Sequence, residues 1–359
     1  MSNILNTIKT GVIFGEDIQK LFQIAKSKKF AIPAINCSNI DVINTVLKTA
    51  QKLKSPVIIQ LSFGGSEFIA GQDIQNTSNI KRAVLGAISA AYHVHTVAKY
   101  YNIPVILHTD HCHKNILPWI DYLIKIGEKN FIKTGQPIFS SHMIDLSQEK
   151  LKENIKICSK YLEKMQKINM MLEIELGCTG GEEDGIKNDI HSHLLYTKPI
   201  DVNYAYEKLI KISPNFIIAA SFGNVHGVYQ IGCIDLQPEI LKKTQQYIYN
   251  KHRLLSMNPI NFVFHGGSGS SIADIKKAIN YGVVKINIDT DIQWAYWWGT
   301  LQYYRKYKSY LKTQLGNPSG QYKPNKKYYD PRSWLKASNQ SVSHTLEKIF
   351  KTLNSYNLW

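Results

Sequence analysis

Three histidines stand where a metal ion could be bound. They are His111 in the motif LHTDH, His226 in FGNVHG and His265 in FVFHGG, and each closes a short apolar run or begins the loop after it. Three neutral imidazoles with one open coordination position are typical of a catalytic zinc, which polarises a carbonyl group. A single histidine among twelve is more often a packing or surface residue, but three at the ends of different runs favour a metal site.

Carboxylates accompany these histidines at the ends of apolar runs. Asp110 precedes His111 and could exchange a proton with a bound substrate; alternatively, it orients a histidine ligand. Asp145 and Glu175 end two further runs, where they could form a second, carboxylate-rich cation site or pair with lysines. The neighbouring His108 is expected to point away from the site.

A loop rich in glycine and acid follows Glu175. Residues 177–185, GCTGGEEDG, combine four glycines with three adjacent acids. The glycines allow the backbone to swing, so that an acid could close over a substrate. A solvated acidic turn is the simpler interpretation, and the sequence by itself favours it. The turn after the LHTDH motif is expected to hold His113.

Two further loops have the composition of phosphate sites. They read GGSGS at 266–270 and NIDT at 287–290, and each precedes a helical pattern. Backbone NH groups at a helix start can face an anion, and barrels often bind phosphate after strands seven and eight. The two loops together therefore predict a phosphorylated ligand.

Eight strand-sized apolar runs must position these residues. They are residues 30–37, 56–62, 104–109, 137–144, 170–176, 216–222, 261–265 and 283–288. Their successive apolar residues are typical of parallel strands buried on both faces. Apolar residues recur at helical spacing between them, in 41–53, 147–168, 201–212 and 238–252, with Asp41 and Ser147 as predicted N-caps. This alternation predicts an α/β fold, a (β/α)8 TIM barrel with its active site at the carboxyl ends of the strands.

The remaining sequence predicts an appendage rather than a second domain. The barrel is expected to span about 28–290, followed by a helix at 291–314, a loop at 315–332 and a terminal helix at 341–353. The whole chain, 1–359, is therefore predicted to be one domain with a C-terminal helical extension.

Composition limits the partners. Lys and Arg outnumber Asp and Glu by 43 to 27, giving a formal charge of +16, but the lysines are scattered along the chain. We therefore expect a diffuse basic surface, with no specific nucleic-acid partner. Five widely spaced cysteines and the lack of a long apolar run predict a soluble protein of the reducing cytoplasm, without a membrane partner.

The chain resembles the class II fructose-bisphosphate aldolases, specifically their longer, dimeric bacterial type. The resemblance covers essentially the whole chain. Its most specific stretches are PVILHTDHC, FSSHMIDLS, LEIELGCTGGEEDG, ASFGNVHGVY, NFVFHGGSGS and NKKYYDPR. It implies a lyase that cleaves fructose 1,6-bisphosphate to dihydroxyacetone phosphate and glyceraldehyde 3-phosphate, in glycolysis and gluconeogenesis. A tagatose-bisphosphate aldolase is the nearest alternative, and a barrel metal hydrolase is a more distant one.

The resemblance also assigns roles. It implies that His111, His226 and His265 bind the catalytic zinc, that Asp145 and Glu175 bind a second divalent metal, and that K+ or Na+ lies near the phosphate. Asp110 matches the proton donor toward the aldehyde oxygen, and Glu183 matches the mobile base that acts at C3. Residues that match the phosphosugar site are Gly227, Gly266, Gly267, Ser268, Asn287, Ile288, Asp289 and Thr290, with Asn36 and Ser62 nearby.

Two details bear on this assignment. Arg332 matches a tail residue that reaches the second phosphate across the interface of a homodimer, whereas Phe63 stands where the family usually has a smaller polar residue. Lys285, on the last predicted strand, has no evident partner that would activate it, so a Schiff-base mechanism is not indicated.

Overall fold

Eight parallel strands close into a barrel. The computed structural model describes residues 8–71, 74–183, 186–188, 195–227, 235–267 and 270–358, with only the backbone at 182, 183, 186–188 and 226. The strands are β1 Ile32–Asn36, β2 Val57–Leu61, β3 Pro104–His113, β4 Ser141–Asp145, β5 Met171–Leu176, β6 Phe216–Ala220, β7 Phe262–Phe264 and β8 Val283–Ile288. Each pairs with the next, and β8 pairs with β1. The predicted (β/α)8 barrel is confirmed.

Helices surround the barrel. They are α1 Glu16–Lys28, α2 Ile40–Lys52, α3 Phe63–Ala70, α4 Asn79–Tyr101, α5 Leu117–Thr134, α6 Leu151–Met165, α7 Pro199–Leu209, α8 Glu239–His252, α9 Ile272–Asn280, α10 Thr290–Tyr307, α11 Lys326–Tyr329 and α12 Pro331–Thr352. Their apolar faces and the outward side chains of the strands form one continuous core, whose burial stabilises the barrel. Among the described residues, no helix is both long and apolar enough to cross a membrane.

Both predicted N-caps are wrong. The side chain of Asn39, not Asp41, accepts a hydrogen bond from the Val42 amide and caps α2. Helix α6 begins only at Leu151, because Ser147 donates its hydroxyl to Asp145 at the end of β4 instead. Asp41 lies in the first turn of α2, where its charge complements the helix dipole.

The barrel interior changes character along the strands. Near the strand starts, inward side chains such as Ile58 and Ile106 pack with Leu21 and Phe22 of α1, which closes this end. Further along, Gln60, His108, Glu173 and Lys285 are buried. The interior therefore has an apolar half near the strand starts and a polar half near the strand ends.

The C-terminal extension after β8 contains more regular secondary structure than predicted. Helix α10 ends at Tyr307, and a hairpin of Leu315–Asn317 and Gly320–Pro324 occupies the predicted loop. Helix α12 begins at Pro331 rather than at 341, because Asp330 accepts from the amide of Arg332 and proline suits a first helical position. Gly299 allows α10 to approach α12 closely, since a Cβ there would lie 2.5 Å from the Cα of Ser338.

Candidate active site

Three buried side chains meet at the carboxyl end of the barrel. Asp110 and His111 lie in β3, and His265 directly follows β7; one nitrogen or oxygen of each lies within 4.8 Å of the others. The structure thus brings together two of the three predicted histidine ligands. The side chain of His226 lies outside the described residues, although its backbone forms a short strand with Val225.

A backbone irregularity directs Asp110 and His111 to the same place. Consecutive residues of a regular strand face opposite sides, but the register of β3 with β4 shifts between Thr109 and Cys112. His111 has φ +30°, in a region that costs a non-glycine residue about 1–3 kcal/mol. The barrel therefore tolerates local strain that places an acid and an imidazole side by side. The predicted position of His113 in a turn is wrong. His113 lies within β3, and its Nδ1 is 3.3 Å from Oδ2 of Asp145.

His111 is oriented by Asp145. Its Nδ1 lies 2.9 Å from Asp145 Oδ2, while Oδ1 of the same carboxylate accepts from the amide and hydroxyl of Ser147, at 3.0 and 2.7 Å. Burial raises the pKa of Asp145, but the hydrogen bond and charge of His111 outweigh it and hold this pKa well below its usual range. The ionised carboxylate accepts a hydrogen bond from the N–H at Nδ1, and Nε2 of His111 faces Asp110.

His265 is oriented by a different carboxylate. Its Nε2 lies 2.8 Å from Glu173 Oε1, and its Nδ1 lies 3.2 Å from Glu175 Oε2. Burial lowers the pKa of His265, but Glu175 and Glu173 together raise it to about 9. A metal ion would therefore compete with a proton at this imidazole.

These donors fit a divalent metal. Each imidazole has one nitrogen on an orienting carboxylate and the other toward the cluster, as in protein zinc sites. A second group, formed by His111, Asp145 and Glu175, also has its ligand atoms within 4.8 Å of one another. In the described part of the chain, Asp145 and Glu175 pair with histidines and neither pairs with a lysine. The alternative that these two carboxylates form ion pairs with lysines is therefore not supported.

Asp110 is held by three amide groups. Gln60 donates to its Oδ2 at 2.6 Å and Asn36 at 3.2 Å, while Asn287 donates to its Oδ1 at 3.3 Å. Asn36 and Asn287 are predicted site residues, but Gln60 is not. The signal for Gln60 was a single amide within the otherwise apolar run VIIQL, whose burial requires a hydrogen-bonding partner.

A cleft of about 390 Å³ opens beside this cluster, lined in part by Asn36, Ser62 and Asp289. Ser62 accepts from the amide of Gly65 and caps α3. The ring of Phe63 packs edge-on against Trp119, with centroids 5.5 Å apart. Phe63 therefore packs against the core and does not line the cleft.

The predicted phosphate loops lie at the same end of the barrel. A Cβ on Gly266 would lie 2.4 Å from the Val225 carbonyl oxygen, and one on Gly267 would lie 2.5 Å from Ile286 Cγ2, so only glycine fits without displacement. Asn287 and Ile288 end β8, Asp289 precedes α10, and Thr290 is the first residue of that helix. Gly227 has φ +107°, and the predicted Ser268 lies outside the described residues.

Residues 16–358 match the family described as "Fructose-bisphosphate aldolase class-II". The chain belongs to this family. It is 64% identical to fructose-bisphosphate aldolase class 2 of Buchnera aphidicola subsp. Baizongia pistaciae and 59% identical to that of Escherichia coli K12, covering 99% of each chain. A crystal structure of fructose-bisphosphate aldolase from Campylobacter jejuni aligns with TM-score 0.90 and 52% identity, over 99% of this chain and 98% of that one.

Part of the acidic segment of this class II aldolase is a strand of a small sheet. Gly180–Glu183 pairs with Ile186–Asn188 and, on its other side, with Val225–His226. The backbone that carries Glu183 therefore runs beside that of His226. The side chain of Glu183 lies outside the described residues.

Arg332 lies apart from this cluster. Its side chain is 89% exposed and pairs with Asp330 at 2.6 Å. It lines a separate groove of about 430 Å³ with Asp41 and Lys48, none of which lines the cleft beside Ser62. Within one chain, Arg332 does not join the other predicted substrate residues.

Proposed function

We propose that this class II aldolase reversibly cleaves fructose 1,6-bisphosphate to dihydroxyacetone phosphate and glyceraldehyde 3-phosphate, as a lyase of glycolysis and gluconeogenesis. The observation that carries the proposal is the buried cluster of Asp110, His111 and His265 at the carboxyl end of a barrel that matches the family over residues 16–358. The similar proteins described above are named for fructose bisphosphate, so tagatose bisphosphate is not the favoured substrate.

We assign the catalytic zinc to His111, His226 and His265. When bound there, zinc would polarise the ketone of dihydroxyacetone phosphate and offset the negative charge that forms as C3 loses a proton. The family's dependence on a metal agrees with the donor set of the two described imidazoles. Asp145 and Glu175 would hold a second divalent ion, and K+ or Na+ would lie near the phosphate.

Two carboxyl groups transfer protons in this reaction, Glu183 as the base and Asp110 as the acid. In the condensation direction, Glu183 takes the proton from C3 of dihydroxyacetone phosphate, and a bond forms between C3 and the aldehyde carbon. Asp110 then gives a proton to the aldehyde oxygen, and cleavage reverses these steps. The amides of Gln60, Asn36 and Asn287 fix the position of this carboxyl group beside the cluster.

The phosphosugar would lie across the strand ends. The backbone at Gly227, Gly266 and Gly267, together with Ser268 and the end of β8 from Asn287 to Thr290, would bind one phosphate. The rest of the sugar would occupy the cleft that Asn36 and Ser62 line. Arg332 of the partner subunit would bind the second phosphate.

A homodimer would complete this site. Trp294, Trp297 and Trp298 of α10 are 60%, 53% and 41% exposed, and clustered tryptophans of this kind are typical of protein interfaces. The position of Arg332 away from its own cleft supports the same arrangement. We further propose one aldolase domain over 1–359 and a cytoplasmic location; the free, buried Cys37 and Cys158 agree with a reducing compartment.

Metal removal tests the proposal. The enzyme is treated with a chelator and assayed with fructose 1,6-bisphosphate and tagatose 1,6-bisphosphate, before and after zinc is restored. We expect cleavage of the fructose sugar to be lost and then recovered with zinc, and to exceed cleavage of the tagatose sugar. Full activity without metal, together with inactivation by borohydride and substrate, would show a Schiff-base mechanism instead.

A further inference from the structure

A lysine and a glutamate are buried together inside the barrel. Lys285 is 1% exposed and Glu173 is fully buried, and Nζ of the lysine lies 2.6 Å from Oε2 of the glutamate. The two residues project from β8 and β5, which are not neighbours in the sheet, so their bond crosses the interior. Lys285 therefore has a carboxylate partner, which stabilises its charged form; the predicted lack of a partner that would activate it as a nucleophile is not contradicted.

Stability does not explain this pair well. Removing two charged groups from water costs several kcal/mol for each ion, and apolar replacements of buried ion pairs are often neutral or stabilising. Two buried neighbours of the pair are apolar: Val263, which pairs with Lys285 in the sheet, and Val284, which precedes it. Apolar side chains could thus fill this layer as well, which points to a role for the charges other than packing.

The geometry connects the pair to the proposed metal site. The two oxygens of Glu173 have different partners: Oε2 accepts from Lys285, whereas Oε1 lies 2.8 Å from Nε2 of His265. In the neutral imidazole that can bind a metal, a carboxylate that accepts a hydrogen bond from Nε2 keeps the proton on that nitrogen and leaves the lone pair on Nδ1. Nδ1 is the nitrogen that faces Glu175 in the cluster.

We propose that Lys285 is a positioning residue, which fixes the Glu173 carboxylate so that His265 presents Nδ1 to the metal. The ammonium group holds Oε2 and thereby prevents the carboxylate from rotating away from His265. Nε2 of His108, on β3, lies 3.3 Å from the same oxygen, and Nδ1 of His108 lies 2.7 Å from the hydroxyl of Ser141. This inference rests on the assignment of His265 as a zinc ligand.

Zinc affinity tests the inference. Chelator-treated wild type, Lys285→Met and His265→Ala are titrated with zinc in competition with a chromophoric chelator, and the unfolding of each metal-free protein is followed in parallel. Lys285→Met should bind zinc about 10- to 100-fold more weakly, the usual effect of losing a group that orients a ligand. A purely structural lysine would lower the unfolding temperature and leave zinc affinity unchanged.

Lys26 provides a matched control. Its Nζ is partly buried and donates to the carbonyl of Asn258 at 2.8 Å, at the end of the barrel where the strands begin. Lys26→Met removes the same charge and one hydrogen bond, and zinc affinity should stay at the wild-type value. An equal loss of affinity in both lysine variants would overturn the inference.

Two further results separate the proposals. If His265→Ala binds zinc as wild type does, the assigned metal site is wrong; if it does not and Lys285→Met does, only the role of Lys285 is wrong. Should Lys285→Met fail to fold, Glu173→Gln tests the connection from its other end. That variant should also bind zinc more weakly, and wild-type affinity would contradict the inference.

Discussion

The apolar and polar halves of the barrel interior have different roles. In the apolar half, Ile58 and Ile106 pack against Phe22 of α1, and burial of this surface stabilises the fold. In the polar half, Asp110 and Glu173 are equally buried, and their removal from water is offset only by specific partners. The difference teaches that stability and chemistry are separated along the strands, and four substitutions can test how completely.

Asp110→Asn should have the largest effect on turnover. The amide cannot donate the proton that the aldehyde oxygen needs, so turnover should fall at least about 10²-fold. Zinc content and the unfolding temperature should stay close to those of wild type. Steady-state kinetics with metal analysis checks both, and loss of zinc along with activity would make Asp110 a metal ligand rather than the acid.

Phe22→Ala should weaken the apolar half. The ring is fully buried, and its removal should lower the free energy of unfolding by about 3–5 kcal/mol. Because α1 lies at the other end of the barrel, the folded variant should keep wild-type zinc affinity. Denaturant unfolding and zinc titration measure the two quantities, and a large change in zinc affinity would show that the halves are coupled.

Gln60→Leu should have an intermediate effect on turnover. The substitution keeps the shape of the side chain but removes the shortest hydrogen bond to Asp110. A hydrogen bond that positions a neutral carboxyl group contributes about 0.5–1.5 kcal/mol, so turnover should fall by up to roughly tenfold. The zinc affinity should not change; unchanged turnover would indicate that Asn36 and Asn287 hold Asp110 without help.

Ser147→Ala should have the smallest effect. The variant loses the hydroxyl bond to Asp145, but the backbone amide of residue 147 still donates to the same carboxylate. Because that remaining bond still holds the carboxylate, zinc affinity should fall by less than about tenfold, below the usual effect of losing an orienting group. A larger loss than in Lys285→Met would mean that His111 depends on its orienting carboxylate more than His265 does.

The sequence predicted the strands well because burial on both faces leaves a local pattern. All eight apolar runs overlap the observed strands, and Val283–Ile288 matches in full. The prediction that His111 and His265 meet relied only on strand ends, which a barrel brings to one rim. By contrast, the start of α12 at Pro331 and the caps of α2 and α6 were missed, since local hydrogen bonds decide them.

The polar interior was not predictable in the same way. Lys285 and Glu173 are 112 positions apart, and nothing in either strand indicates which residue lies across the barrel. Regular alternation would also have placed Asp110 and His111 on opposite faces; only the register shift in β3 brings them together. Contacts of this kind depend on barrel geometry, so they follow from the structure rather than from the pattern.

The closed ring of strands affects how the protein folds during synthesis on the ribosome. Ile35 of β1 pairs with Ile288 of β8, so the barrel cannot close until β8 has been synthesised. At typical rates of synthesis, the roughly 250 intervening residues take on the order of ten to fifty seconds to emerge. During that time the side chains that will line the barrel are open to other nascent chains, and we expect the emerging polypeptide to depend on chaperones until β8 arrives.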